Sequence, residues 1–242
     1  MSGHSKWKNI VNKKNKMDAL RGKDFTRMGR ELVIAVKSGG PDPSINSRLA
    51  DVIAKCKAIN MPNDNIKRSI EKASGSQDSS NYEEIVYEGY GPEGVAIMVE
   101  AATDNKNRTA GEVRHLFDKS GGNLGSTGCV SFMFERKGVL VIGRDTSADE
   151  DTLMMQAIDA GAEDFISEDD YFEVTTDPDS FSQIRESLEK EGYQFLEAEL
   201  EWVPTTYTKI SDPESIKKLE RLIDALEEND DIQYVWHSWE QE

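Results

Sequence analysis

Apolar residues recur at three- and four-residue spacing in the first third of the chain, which is the period of helices that bury one face. The first such stripe consists of Phe25, Met28, Leu32 and Val36. The run Gly39-Gly40-Pro41 follows it and is typical of a helix end. The pattern therefore predicts an amphipathic helix over residues 25–36.

Two more helices are predicted from the same spacing. The second begins at about Ser44, and its expected buried stripe is Ile45, Leu49, Val52, Cys56 and Ile59. Met61-Pro62 ends this helix, and Asn63 is placed to cap a third helix that carries Ile66 and Ile70. Three short helices with brief connections predict a small N-terminal bundle.

The periodicity changes after SGSQDSSN (74–81), a polar segment that is typical of a linker. The outer part of the remaining chain predicts strand-helix-strand twice, over 94–101, 109–119, 129–135, 206–210, 211–229 and 231–236. Residues 138–203 between them predict strand-helix-strand-strand-helix-strand, the order of a ferredoxin-like unit with helices on one face of an antiparallel sheet.

These elements predict an α+β fold of three domains. A basic helical domain with its linker occupies residues 1–81, and a discontinuous α/β domain occupies 82–136 and 204–242. A ferredoxin-like α/β domain, residues 137–203, is inserted in the second, and the second is expected to have a similar build.

Charge separates the first part of the chain from the rest. Residues 1–73 hold 16 Lys/Arg against 7 Asp/Glu, a net of +9, and residues 74–242 hold 13 against 39, a net of −26. Both sets could be ordinary solvated surface. A change of this size at one boundary favours a nucleic-acid-facing module on a body that repels polyanions.

The candidate nucleic-acid contacts come from two segments. The first is the basic start with the first helix: Lys6, Trp7, Lys8, Lys13, Lys14, Lys16, Arg21, Lys23, Arg27 and Arg30. Trp7 either stacks on a base or packs onto the bundle, and packing is the more favoured reading. The second segment, TDNKNRT (103–109), places Lys106 and Arg108 at a helix start, where either a phosphate site or a plain turn fits equally well.

Other chemistries find little support in the sequence. GGNLGSTG (121–128) follows a helix and opens a strand, the reverse of a phosphate loop, so we expect a structural return. Cys56, Cys129 and three scattered histidines form no ligand set, and no nucleophile motif is present. We therefore expect no catalytic residues, cofactor, metal or small-molecule substrate. With no membrane span or secretory signal, we expect a cytoplasmic protein.

The chain resembles the YebC family, bacterial relatives of a mitochondrial translational activator of cytochrome c oxidase. The resemblance is densest in GHSKW (3–7), RGKDFT (21–26), GGPDP (39–43), NMPNDNI (60–66), YEGYGPEGVA (87–96), TDNKNRT and GGNLGSTGCV (121–130). It departs at KKNKM (13–17), where the family often has Ala and Gln, and at Asn46-Ser47-Arg48, where Asn-Pro-Arg is more usual.

The resemblance implies a helical domain followed by two α/β domains, and a non-enzymatic role in gene expression. Family members are most often described as DNA-binding transcriptional regulators, and some as ribosome-associated factors for proline-rich stretches. The partner is then DNA or ribosomal RNA, because phosphate attraction serves both. An enzyme or small-molecule sensor built on the ferredoxin-like units is a third, weaker hypothesis.

Overall fold

The computed structural model describes residues 21–75, 81–144 and 149–240. The described residues form two compact units. The smaller unit is Glu135–Val203, and the larger unit consists of the described residues before and after it. The smaller unit begins at Glu135, two residues before the expected start of the inserted domain at residue 137. The domain boundaries at 81, 136 and 204 stay predictions.

Three helices open the larger unit: α1 (Arg21–Gly39), α2 (Ser47–Ala58) and α3 (Asn63–Ser74). They share an apolar core in which Leu32, Leu49 and Cys56 are fully buried. The helical bundle predicted from the spacing is therefore present. Burial also raises the pKa of the Cys56 thiol to about 12, so this cysteine behaves as a core residue.

The start of α2 differs from the prediction. The Oδ1 of Asn46 accepts a hydrogen bond from the backbone N–H of Leu49 at 3.1 Å, so the helix begins at Ser47. Ile45 then lies before the helix and is 81% exposed, rather than on its buried stripe. Asn63 is the first residue of α3 and not its cap, since Pro62 precedes the helix without a side-chain cap bond.

The α/β part of the same unit begins with β1 (Glu83–Tyr90), a strand that the hydrophobic pattern did not predict. It forms an antiparallel hairpin with β2 (Ala96–Thr103), and α4 (Lys106–Lys119) and β3 (Asn123–Leu124) follow. The prediction of a strand over 129–135 is wrong for residues 129–133, and only Phe134 and Glu135 are in a strand, the one that continues to Gly143. Ser131–Met133 form a 3-10 turn, because backbone N–H groups of this stretch bond the Glu88 carboxylate rather than a strand.

The inserted unit has the predicted order β4 (Phe134–Gly143), α5 (Glu150–Ala160), β5 (Asp164–Ser167), β6 (Tyr171–Thr176), α6 (Phe181–Lys190) and β7 (Phe195–Pro204). Its sheet order is β5-β6-β4-β7. This is the ferredoxin-like arrangement, with Leu140 and Phe172 buried against α5 and α6.

The chain returns to the larger unit through β8 (Thr208–Lys209), α7 (Pro213–Glu228), β9 (Ile232–His237) and β10 (Trp239–Glu240). The strand expected over 206–210 shrinks to two residues that pair with β10 outside the main sheet. The main sheet has the order β3-β1-β2-β9. Counted along the chain, this order is 3-1-2-4, whereas the strands of the inserted unit have the order 2-3-1-4, so the two sheets differ in connectivity. The predicted α+β class is confirmed, and this connectivity corrects the outer strand-helix-strand reading.

Candidate nucleic-acid interface

The basic start of the chain lies outside the described residues. This applies to the predicted contacts Lys6, Trp7, Lys8, Lys13, Lys14 and Lys16, and the side chain of Arg21 is not described either. Their role stays a prediction. The other predicted contacts, on α1 and at the start of α4, can be placed against the α/β part of the larger unit.

A buried carboxylate, Asp231, joins both predicted segments at the start of β9. Its oxygens accept hydrogen bonds from Arg30 Nη1 at 2.9 Å and Arg108 Nη2 at 2.7 Å. The hydroxyls of Thr103 and Thr109 also donate to it, at 3.1 and 2.7 Å. Burial opposes ionisation of this carboxyl, but these donors outweigh burial and hold its pKa below the ordinary value. Asp231 is therefore an ionised centre of the fold.

Arg30 is almost entirely used within the chain. Besides Asp231, its Nη1 donates to the carbonyl oxygens of Ala102 at 2.9 Å and Asp230 at 2.6 Å. Its guanidinium also lies over the Tyr82 ring, 5.1 Å from the centroid. The side chain is only 14% exposed, so it can contact a phosphate only by leaving these partners.

Two further cations of α1, Lys23 and Arg27, also contact the α/β part. Lys23 donates to the carbonyl of Glu228, and the Arg27 guanidinium lies 5.5 Å from the centroid of the Tyr234 ring. The Tyr234 hydroxyl donates to Glu31 at 2.7 Å and accepts from Lys55 at 2.9 Å. Cation, ring and carboxylate thus alternate along the contact between the helical bundle and β9.

Each cation of the TDNKNRT segment has a carboxylate partner. Asn105 caps α4: its side-chain oxygen accepts a 3.1 Å hydrogen bond from the backbone N–H of Arg108. Arg108 pairs with Asp104 as well as Asp231, and these carboxylates raise its pKa. Lys106 pairs with Glu83. A phosphate at this helix start would compete with those ion pairs.

These contacts give the basic charge of the helical bundle a structural role. Six cations of residues 23–72 reach partners beyond residue 80: Lys23, Arg27, Arg30, Lys37, Arg48 and Lys55. Much of the charge separation seen in the sequence therefore attaches the helical bundle to the acidic α/β part. The partners could not be foreseen, because they lie 36 to 205 residues away along the chain.

Four exposed cations remain in the same stretch, and sequence reasoning did not single them out. Among the described residues, no ion pair or hydrogen bond involves the side chains of Lys57, Lys67, Arg68 or Lys72. The signal that points to the last three was available, since α3 buries Ile66 and Ala73 and these cations lie away from that side.

The GGNLGSTG segment is a structural return after α4, as expected. Gly121 follows the helix with a φ of 77°, which favours glycine. The buried Glu88 carboxylate then accepts from the backbone N–H groups of Gly128, Val130 and Ser131 at 2.8 to 2.9 Å. Burial alone would raise the pKa of Glu88, but the hydrogen bonds lower it by more, and the net pKa is below the ordinary value. The ionised carboxylate therefore anchors the loop.

Membrane and metal chemistry can be assessed only over the described ranges. There, no helix combines the length and apolarity that a membrane crossing requires. The one cluster with metal-ligand spacing within those ranges is Glu197, Glu199 and Glu201 on β7. Each of the three residues has an interaction within the chain, although Glu197 Oε2 and Glu201 Oε1 are buried without a hydrogen-bond partner. Acidic clusters of this kind are common without an ion, so it assigns no metal site.

Comparison with known proteins covers nearly the whole chain. Residues 5–76 match the TACO1/YebC protein N-terminal domain, and residues 82–239 match the TACO1/YebC second and third domain. A relative in Acetivibrio thermocellus is 64% identical over 99% of both chains, and one in Ruminiclostridium cellulolyticum is 63% identical over 100% of this chain and 98% of the relative. Both are named "probable transcriptional regulatory protein".

A solved structure shares the fold. The crystal structure of a conserved hypothetical protein from Aquifex aeolicus has 44% identity and a TM-score of 0.84, over 92% of this chain and 91% of the other. The two domain matches, the end-to-end identity and the shared fold agree with one another, and by them this chain belongs to the TACO1/YebC family.

Proposed function

We propose that this protein is a non-enzymatic, cytoplasmic, DNA-binding regulator of transcription. The observation that carries the proposal is the concentration of positive charge in the first 73 residues of a chain whose net charge is −17. The names of the end-to-end relatives support a transcriptional role. They do not favour the alternative, a translation factor on ribosomal RNA.

The contacts of α1 reduce the number of residues that are candidates for binding DNA. Because Lys23, Arg27 and Arg30 already contact the α/β part, the arm lysines are the better candidates for phosphate: Lys6, Lys8, Lys13, Lys14 and Lys16. Five phosphate contacts predict a slope of about −4.5 in log affinity against log salt for duplex DNA. Contacts of this kind position the protein and carry no base information.

The test measures duplex binding by fluorescence anisotropy between 50 and 300 mM salt. Replacement of Lys13, Lys14 and Lys16 by Gln should reduce the slope by about 2.7, and replacement of the same three by Arg, the matched control, should preserve it. An unchanged slope in the Gln variant would reject the arm as the contact. Failure of the wild type to bind duplex, with co-sedimentation on ribosomes at low salt, would instead favour the translation role.

A further inference from the structure

We infer that the outer face of α3 is a second docking surface for the phosphate backbone of duplex DNA. The outer cation face consists of Lys67, Arg68 and Lys72. This inference rests on the proposed DNA-binding function and adds residues that neither the sequence motifs nor the arm include.

The outer cation face differs from the rest of the bundle in how its charges are used. The cations of α1, and Arg48 and Lys55 of α2, contact groups of the chain beyond residue 80. Within the described residues, the three cations of the outer face have no such partner, in a chain that carries 46 acidic residues. Asp64 lies four residues before Arg68, and Glu71 lies four residues after Lys67, a spacing at which opposite charges favour a helix. Neither pair forms an ion pair within the described residues, so these cations are accessible to a partner.

The geometry of α3 suits contact with a nucleic-acid strand. Ile66 and Ala73 are buried against the bundle, and Lys67, Arg68 and Lys72 are exposed. The five-residue separation of Lys67 and Lys72 corresponds to about 7.5 Å along the helix axis. A duplex strand places one phosphate per roughly 3.4 Å of its own axis, so one face of α3 can reach about two successive phosphates.

Two acidic residues, Asp64 and Glu71, lie on the same exposed side of α3 and leave the helix with a net charge of +1. Since Glu71 lies between Lys67 and Lys72 in the sequence, a phosphate at this face would be repelled by its carboxylate. The direction in which each charge should change the affinity for DNA can therefore be predicted. Removal of the Glu71 charge should strengthen DNA binding, whereas removal of the neighbouring cations should weaken it.

A polyanion is the expected partner of the outer cation face, because the described side chains of this face are charged or polar. They offer no apolar anchor of the type that protein interfaces use. Duplex DNA is the choice because the arm supplies further cations in the same part of the chain, and both surfaces together neutralise more phosphates than either alone. A single-stranded RNA partner is an outcome of the test.

The experiment uses the full chain and a duplex of about 25 base pairs, titrated by anisotropy at several salt concentrations. In the variant Lys67→Gln, Lys72→Gln, the salt slope should decrease by about 1.8, which corresponds to the two phosphates that this face reaches. The matched control is Arg114→Gln, Lys119→Gln on the exposed side of α4, which should keep the wild-type slope. Glu71→Gln should raise the affinity. Unchanged thermal melting in all variants confirms that they are folded.

The outcomes separate this inference from the proposed function. If the arm variant loses salt slope and the α3 variant does not, the outer cation face is excluded and DNA binding stands. If the α4 control loses as much as the α3 variant, the effect is one of net charge and the inference fails. If the wild type binds a single-stranded RNA of equal length but no duplex, both proposals fail.

Discussion

The helices α1 and α3 belong to the same bundle, and both carry a stripe of basic residues, but the two stripes have opposite surroundings. On α1, Lys23, Arg27 and Arg30 recur along one side and contact the α/β part, where Glu31 and Ile34 are also buried. On α3 the cations face outward. A basic stripe can therefore hold a domain in place or remain open for a partner, and residue type alone does not distinguish the two.

The strongest way to test the inward stripe is to remove its carboxylate. Asp231→Ala leaves the largely buried Arg30 without its carboxylate partner and removes one of the two carboxylate partners of the half-exposed Arg108. It should lower the free energy of unfolding by about 3–5 kcal/mol. Urea denaturation measures the change. Glu71→Ala on α3 is the matched control, since its carboxylate is exposed, and should change stability by less than about 0.5 kcal/mol.

The inward stripe should also give stability a dependence on pH. The pKa of Asp231 is lower in the folded state than its ordinary value of 3.8, so its contribution is complete well above pH 4 and is lost as pH falls through the folded pKa. Each unit between the folded and unfolded pKa corresponds to about 1.4 kcal/mol. Denaturation of wild type and Asp231→Asn between pH 3 and 7 measures this contribution. A constant difference between the two proteins over that range would contradict it.

Single substitutions in the TDNKNRT segment should produce a smaller, graded effect. Arg108→Ala removes a donor from the buried Asp231, whereas Lys106→Ala removes only an exposed pair with Glu83. The melting temperature should fall for Arg108→Ala, by less than for Asp231→Ala, and should barely change for Lys106→Ala. Equal melting temperatures for the two variants would show that Arg108 does not support Asp231.

The smallest expected stability effect is on the outward stripe. Replacement of Lys67, Arg68 and Lys72 by Gln removes no contact with a described residue and relieves like-charge repulsion on α3. The free energy of unfolding should change by less than about 0.5 kcal/mol, measured by urea denaturation. A loss comparable to that of Asp231→Ala would show that the two stripes do not differ in role.

Local patterns predicted the parts of the fold that depend on local packing. The helical bundle and the inserted ferredoxin-like unit each bury a regular apolar period, as Leu32 on α1 and Leu140 on β4 illustrate. The strand β1 was missed because the buried Glu88 interrupts its apolar alternation. The same carboxylate explains the wrong strand over 129–133, since it bonds the backbone there.

The candidate site was less predictable for a related reason. Charge counts identified the basic part of the chain, and the local sequence placed Lys106 and Arg108 at the start of a helix, where the structure also has them. The partners of Arg30 and Lys55, however, are distant residues of β9 and its preceding turn. Without the fold, a cation that will be buried against Asp231 looks the same as one that stays in solvent.

The 201-residue separation between Arg30 and Asp231 has a consequence for biosynthesis. At roughly 5–20 residues per second, the ribosome adds Asp231 about 10–40 s after Arg30. The nascent helical bundle can form its own apolar core early, but the strand β9, which it contacts in the folded protein, has not yet been synthesised. For most of translation Lys23 and Arg27 of α1, whose partners are Glu228 and Tyr234, therefore face the surroundings of the growing chain, and they are covered only when the end of the chain emerges.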